Sequence, residues 1–315
     1  MNFLERALDK TNHFGNYIWT AVIFFVASMV GGIPLTIVML KQRAATGVAE
    51  FSTTMDLSLL GISQNMGLLL MLIPFAMALF ACVLIVKHLH SRTFSETVNG
   101  TKKVRWNRAF TGFGVWFLLM LIVTLVQFAI SPGDFTVQFD IKSFLPLLLI
   151  TLLFIPLQTT CEEFLFRGYL TQGVAAWTKN RWLAVIIPGI LFGLMHFANT
   201  EVAEHGFWAA MPHYIIFGLI FGLTAVLDDG IELAIGMHAA HNIASCLLVT
   251  SDVSSLPTPA IFCQHEVHII LETIILAIVG IMAVGFFARK YKWDFRVMNK
   301  KVEPLPTLEV EAEIE

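Results

Sequence analysis

At 315 residues, with 57% hydrophobic against 14% charged residues and a mean hydropathy of +0.74, the chain is too apolar for an ordinary water-soluble domain. A formal net charge of −3 names no partner by itself, and the spacing of the apolar runs leaves little chain for a separate soluble domain. The expected architecture is one all-α, polytopic membrane domain.

The first sixteen residues mix Glu5, Arg6, Asp9 and Lys10 ahead of an apolar run long enough to span, which is not the layout of a cleavable signal peptide. A spanning helix needs about 20 predominantly apolar residues. Such runs fall at roughly 17–40, 66–86, 109–131, 144–172, 183–198, 212–227, 231–249 and 269–288, about eight transmembrane helices, the fifth to seventh short. The chain divides into three parts. Residues 1–143 hold N-terminal helices and a basic loop at 87–108, and 144–250 form a core with the membrane-embedded polar residues. Residues 251–315 hold a last helix and, beyond Lys301, an acidic tail with two prolines that is expected to be disordered. Gly189-x-x-x-Gly193 and Gly218-x-x-x-Gly222 predict close helix approach on the fifth and sixth spans. Cys82, Cys161, Cys246 and Cys263 form no CxxC pair, and Cys161 beside Glu162 is read as a buried thiol that packs as a small hydrophobe.

Charge sets the expected orientation. With alternate loops assigned to one side, sixteen Lys and Arg residues fall with the two termini, 87–108, 173–182 and 228–230, and only Lys41, Arg43 and Lys142 fall on the other side. The positive-inside rule then places both termini in the cytoplasm and 199–211, with Glu201 and Glu204 but no Lys or Arg, outside. The same topology accounts for the basic loop 87–108, so no nucleic-acid partner is expected. The expected partners are the lipid bilayer and a peptide or membrane-protein substrate, while oligomeric state has no sequence signal.

Ionisable groups within apolar spans are costly and mark function by default. Glu162 and Glu163 end one long run. Glu163 and Arg167 are four residues apart on one helical face and can pair, whereas Glu162 is rotated by about 100° and is left over. An unpaired carboxylate in an apolar site suits a general base. Phe192 lies one turn before His196, and His238 one turn before Asn242. From the assumed cytoplasmic ends, at about 1.5 Å per residue, Glu162 lies roughly 15 Å deep, His196 roughly 20 Å, Asn242 roughly 16 Å and His238 roughly 10 Å, depths compatible with one cluster. Glu162 with His196 can orient and deprotonate a water, and His238 with Asn242 can hold an oxyanion. In a zinc version His196 and His238 become ligands, His241 could join them, and Glu162 is the base. No HExxH motif is present, and His265-Glu266-Val267-His268 is read as surface. Two further readings are a proton-coupled transporter and a non-catalytic immunity or binding protein.

The order Glu-Glu-x-x-x-Arg (162–167), Phe-x-x-x-His (192–196) and His-x-x-x-Asn (238–242) resembles the CPBP family of intramembrane peptidases. These are the CAAX prenyl endopeptidases of Rce1 type and their bacterial bacteriocin-processing and self-immunity relatives. The resemblance covers roughly 144–250. It implies an endopeptidase in a bacterial plasma membrane, acting on a CAAX-type, leader-type or membrane-associated peptide, with a site that opens toward the cytoplasm. It further implies Glu162 and His196 activating water, His238 and Asn242 holding the oxyanion, Glu163, Arg167 and Phe192 in support, and no required cofactor, with zinc the alternative.

Overall fold

In lipid every backbone N–H and C=O must be bonded within its own segment, so long apolar runs fold as helices. The computed structural model describes residues 2–8, 12–46 and 61–305. In chain order the helices are α1 (Phe14–Thr46), α2 (Gln64–His90), α3 (Phe94–Asn99), α4 (Trp106–Ile130), α5 (Ile141–Glu163), a π-helical turn (Phe164–Leu170), α6 (Thr171–Thr178), α7 (Arg181–Leu194), α8 (Thr200–His205), α9 (Phe207–Leu227), α10 (Glu232–Leu247) and α11 (Ile269–Tyr291). Among the described residues six helices are long and apolar enough to cross a membrane: α1, α2, α4, the continuous α5–α6 unit, α9 and α11. The other two expected spans are α7 and α10, of 14 and 16 residues. Both are too short to cross alone.

The surface follows from lipid as the outer solvent. Large apolar side chains such as Met29, Leu118, Leu153 and Ile281 are exposed on the long helices, as expected where there is no water to exclude them. The short α10 shows the opposite pattern. Its Leu233, Ala234, Met237 and Ala240 are completely buried, because α10 packs against α4, α5 and α9. Close approach requires glycine. A Cβ on Gly236 of α10 would lie 1.9 Å from the Ala109 carbonyl oxygen of α4, and one on Gly218 of α9 would lie 2.3 Å from that of Gly189 on α7. The α7–α9 glycine contact is the approach predicted from the two small-residue motifs.

The loops sort onto two faces. One face gathers the N-terminus, 91–105, 178–181, 228–232 and 292–302. There Asn2 N–H donates to Asp229 at 2.8 Å, Arg105 pairs with Glu232 at 2.6 Å, and Val302 N–H donates to the Lys179 carbonyl at 3.1 Å. This is the basic face. The opposite face carries a small sheet that hydropathy did not signal: β1 (Phe135–Val137), β2 (Val249–Ser251) and β3 (Phe262–Gln264), in the order β1-β3-β2, with β1 antiparallel and β2 parallel to β3. Three-residue strands carry too few residues for a periodic pattern. Val302 is buried and bonded, so structure continues past Lys301, and the rest of the expected acidic disorder, residues 306–315, lies outside the described residues.

The α10–α4 contact makes a direct prediction. Gly236→Ala must push two backbones apart, at about 1–3 kcal/mol, and should lower the thermal midpoint of the purified protein in detergent by several degrees. Gly32→Ala in α1, where a Cβ meets nothing within 4 Å, should leave that midpoint unchanged or slightly raised.

Candidate active site

The site begins where α5 ends. Glu163 carries no exposed surface and Arg167 is 1% exposed, and Arg167 Nη1 donates to Glu163 Oε1 at 2.8 Å. The four-residue spacing thus forms the expected pair. Glu163 has a second partner that helical spacing could not show: the same Oε1 accepts from His238 Nδ1 at 2.7 Å. A carboxylate only accepts here, so Nδ1 carries the ring proton and Nε2 is turned toward Glu162, 3.6 Å from its Oε2. Glu162 Oε2 is buried with no hydrogen-bond partner. One guanidinium therefore pairs with only one of two adjacent carboxylates, and the charge left over resides on Glu162, which borders an open space.

That space is a cavity of about 400 Å³ lined by Glu162, Phe192, His196, His238 and Asn242. Glu163 and Arg167 are absent from its wall and sit behind it. All four residues expected to act, and Phe192, thus reach one volume, with the two supporting charges beneath.

His196 differs in setting from the expected span. The helix α7 stops at Leu194, and His196 stands in the turn that follows, where its Nδ1–H donates to the Phe192 carbonyl at 2.8 Å. Its ring stacks on Tyr214 of α9, with centroids 4.6 Å apart. Phe192 does more than precede a histidine: its ring also lies under the Arg167 guanidinium, 3.9 Å from centroid to Cζ, a cation–π contact in a desolvated setting. Phe217, Phe221 and Phe192 surround His238 at centroid distances of 5.0, 5.7 and 6.0 Å. Aromatic rings therefore surround the base of the site.

Asn242 donates one amide hydrogen to Gln158 Oε1 at 2.9 Å, leaving the other free for a ligand. Gln158 is a site residue that the sequence reading passed over, although it lies one turn before Glu162 on α5 in an otherwise apolar run. Tyr214 was also missed, and no pattern marks it. His241, set aside at the sequence level, does line the cavity, and its Nδ1 accepts from Trp116 Nε1 at 3.4 Å.

For a metal, the site supplies suitable donor types in its histidines and Glu162. His196 and His238 both donate from Nδ1 and leave Nε2 as a potential ligand, but Glu162, His196 and His238 do not bring three ligand atoms within 4.8 Å of one another. Among the described residues the group that does is Asp252, Cys263 and His265 beside the small sheet.

The buried cluster predicts which substitutions disturb folding. Glu163→Ala strands Arg167 and frees His238, and Arg167→Ala strands Glu163. Each should cost roughly 3–5 kcal/mol and reduce the yield of monodisperse protein in size-exclusion chromatography. Glu162→Ala removes a carboxylate with no bonded partner and should elute as the wild type does. The opposite ranking would reverse the two glutamates' roles.

Comparison with known proteins places these residues within a matched segment. A family model described as type II CAAX prenyl endopeptidase Rce1-like matches residues 141–244, a stretch that includes all three motifs. The uncharacterized protein YyaK of Bacillus subtilis (strain 168) is 31% identical over 252 residues, covering 79% of this chain and 83% of that protein. No solved structure matches. With a relative similar over most of both chains and a family model spanning every polar motif, this chain belongs to the Rce1-like family of type II CAAX prenyl endopeptidases.

Proposed function

We propose that this integral membrane protein is an intramembrane endopeptidase that hydrolyses a peptide bond with a water activated by Glu162 and His196. One observation carries the proposal: Glu162 lines the cavity with no hydrogen bond to its carboxylate, its nearest partner being His238 Nε2 at 3.6 Å, while its neighbour Glu163 is held by Arg167 and His238. A carboxylate within a shaped, apolar-walled space is what general-base activation of water requires.

In this mechanism water sits between Glu162 and the Nε2 lone pair of His196. Glu162 takes one proton as the water oxygen bonds to the scissile carbonyl carbon, and the carbonyl electron pair moves onto oxygen. The free amide hydrogen of Asn242 meets that oxyanion. The proton held by Glu162 can be shared with His238 Nε2, 3.6 Å away, and Nε2–H then becomes a second donor to the oxyanion. Collapse of the tetrahedral intermediate breaks the C–N bond, and the proton passes to the leaving amine. The products are one carboxylic acid and one amine, and transfer of the acid's proton to the amine leaves a carboxylate and an ammonium group. Preorganised donors of this kind contribute about 10²–10³ in rate each.

No metal takes part in the proposed reaction. Elemental analysis of purified, active protein should find less than stoichiometric zinc, and one zinc per chain retained together with activity would overturn the metal-free mechanism. Glu162→Gln should abolish cleavage of a membrane-reconstituted peptide substrate while preserving the elution profile and thermal midpoint. Asn242→Ala should lower kcat by about 10²–10³, with KM little changed. Turnover by Glu162→Gln at the wild-type rate would exclude Glu162 as the base.

A further inference from the structure

The direction in which the cavity opens bears on what the enzyme can cut. Beyond the polar cluster the cavity is lined by Asn199, Thr200 and Glu201, by Ser254, Ser255 and Leu256, and by Ile269 at the start of α11. All of these lie on the face of the small sheet. No residue of the basic face contributes to the lining. In that direction the site is sealed by Glu163, Thr171 and Gln172, which carry no exposed surface, and by Arg167 at 1%. Gln172 Nε2 closes the seal further by donating to the carbonyls of Phe3 and Glu96, both at 3.0 Å. The site has a floor toward the basic face and a mouth toward the other.

Among the described residues the face that bears the mouth carries Lys41, Arg43 and Lys142, at the ends of α1 and α5. Nearly all the other lysines and arginines lie on the floor side. The positive-inside rule puts the floor side in the cytoplasm.

Resting on the peptidase reading of this site, we infer that its substrates are cleaved from the extracytoplasmic side: exported peptides, or the outer juxtamembrane segments of membrane proteins, entering as extended chain. This departs from the cytoplasm-facing site that the family resemblance implies, and it excludes the cytoplasmic C-terminal ends of CAAX-type proteins as substrates. Two features narrow the class further. His238 lies nine residues before the mouth-side end of α10, about 14 Å along the axis, so a substrate must supply about four residues of unfolded chain to reach it. The lining carries Glu162 and Glu201 but no lysine or arginine. Acidic side chains next to the scissile bond are therefore disfavoured.

The test needs no turnover. Ser254→Cys on the mouth side and Lys102→Cys on the basic face are made in a background with Cys246 and Cys263 replaced, and right-side-out spheroplasts are treated with a membrane-impermeant maleimide. Labelling of Ser254→Cys in intact spheroplasts, with Lys102→Cys labelled only after permeabilisation, is the expected result. Labelling of Lys102→Cys in intact spheroplasts, with Ser254→Cys protected until permeabilisation, would overturn the inference. A second measurement displays one library of anchored, unfolded peptides on either side of the membrane, with Glu162→Gln as the control. Cleavage confined to the outer display supports the inference, and cleavage confined to the inner display refutes it. A failed peptidase reading would show separately, as wild type and Glu162→Gln giving the same products while the labelling result stands.

Discussion

The site depends on one buried ionic contact, the Glu163 carboxylate held between Arg167 and His238. Two acidic side chains in succession within a membrane segment would repel each other and both pay the cost of leaving water. A single guanidinium settles this by binding one of them at 2.8 Å. Because that same oxygen also accepts from His238, the pair sets the tautomer and the tilt of a ring on a different helix. The energy of burial is thereby converted into orientation of that ring. Phe192 completes the arrangement by covering the guanidinium with its ring and tethering His196 through its carbonyl. Charge neutralisation and alignment of both histidines thus trace to one small group of side chains.

Much of this was legible in the sequence where both partners lie on one helix. The pairs Glu163–Arg167, Phe192–His196 and His238–Asn242 are each one turn apart, and helical geometry alone places them on common faces. The spacing also showed which glutamate would be left unpaired. Relations between helices were not legible, because hydropathy carries no information on how one helix is rotated against another. So His238 bonds Glu163 through Nδ1 and meets Glu162 only at a longer distance, Asn242 meets Gln158, and Tyr214 stacks on His196. The direction of the cavity was also out of reach, since it depends on which loops pack into a seal.

The short helices acquire a meaning in this context. Had α7 continued across the bilayer, His196 would occupy a regular helical position with its ring fixed by its neighbours along the axis. Because α7 stops at Leu194, the ring is placed by a turn and by an aromatic partner from α9. The loop residues behind it are tied to that partner, since Asn199 donates to the Tyr214 hydroxyl at 3.1 Å and Tyr214 donates to Glu201 at 3.2 Å. The mouth of the cavity and one of its reacting groups therefore share a hydrogen-bonded neighbour.

The π-helical turn at Phe164–Leu170 has a consequence for how this protein can change over time. Within it the Thr171 N–H reaches back five residues to the Phe166 carbonyl, so the helix below is offset from the register that an uninterrupted α-helix would impose. Upstream of the turn stand Gln158, Glu162 and Glu163, within it stands Tyr169, bonded to His90, and downstream stands Gln172, bonded to Arg92. Loss of a single residue from this turn would swing the downstream face by about 100° and separate the two sets at a stroke. Point substitutions can drift through this segment one at a time, but changes in its length cannot. Descendants of this chain are bound to keep the count between the glutamates and Gln172 even where they discard the residues that fill it.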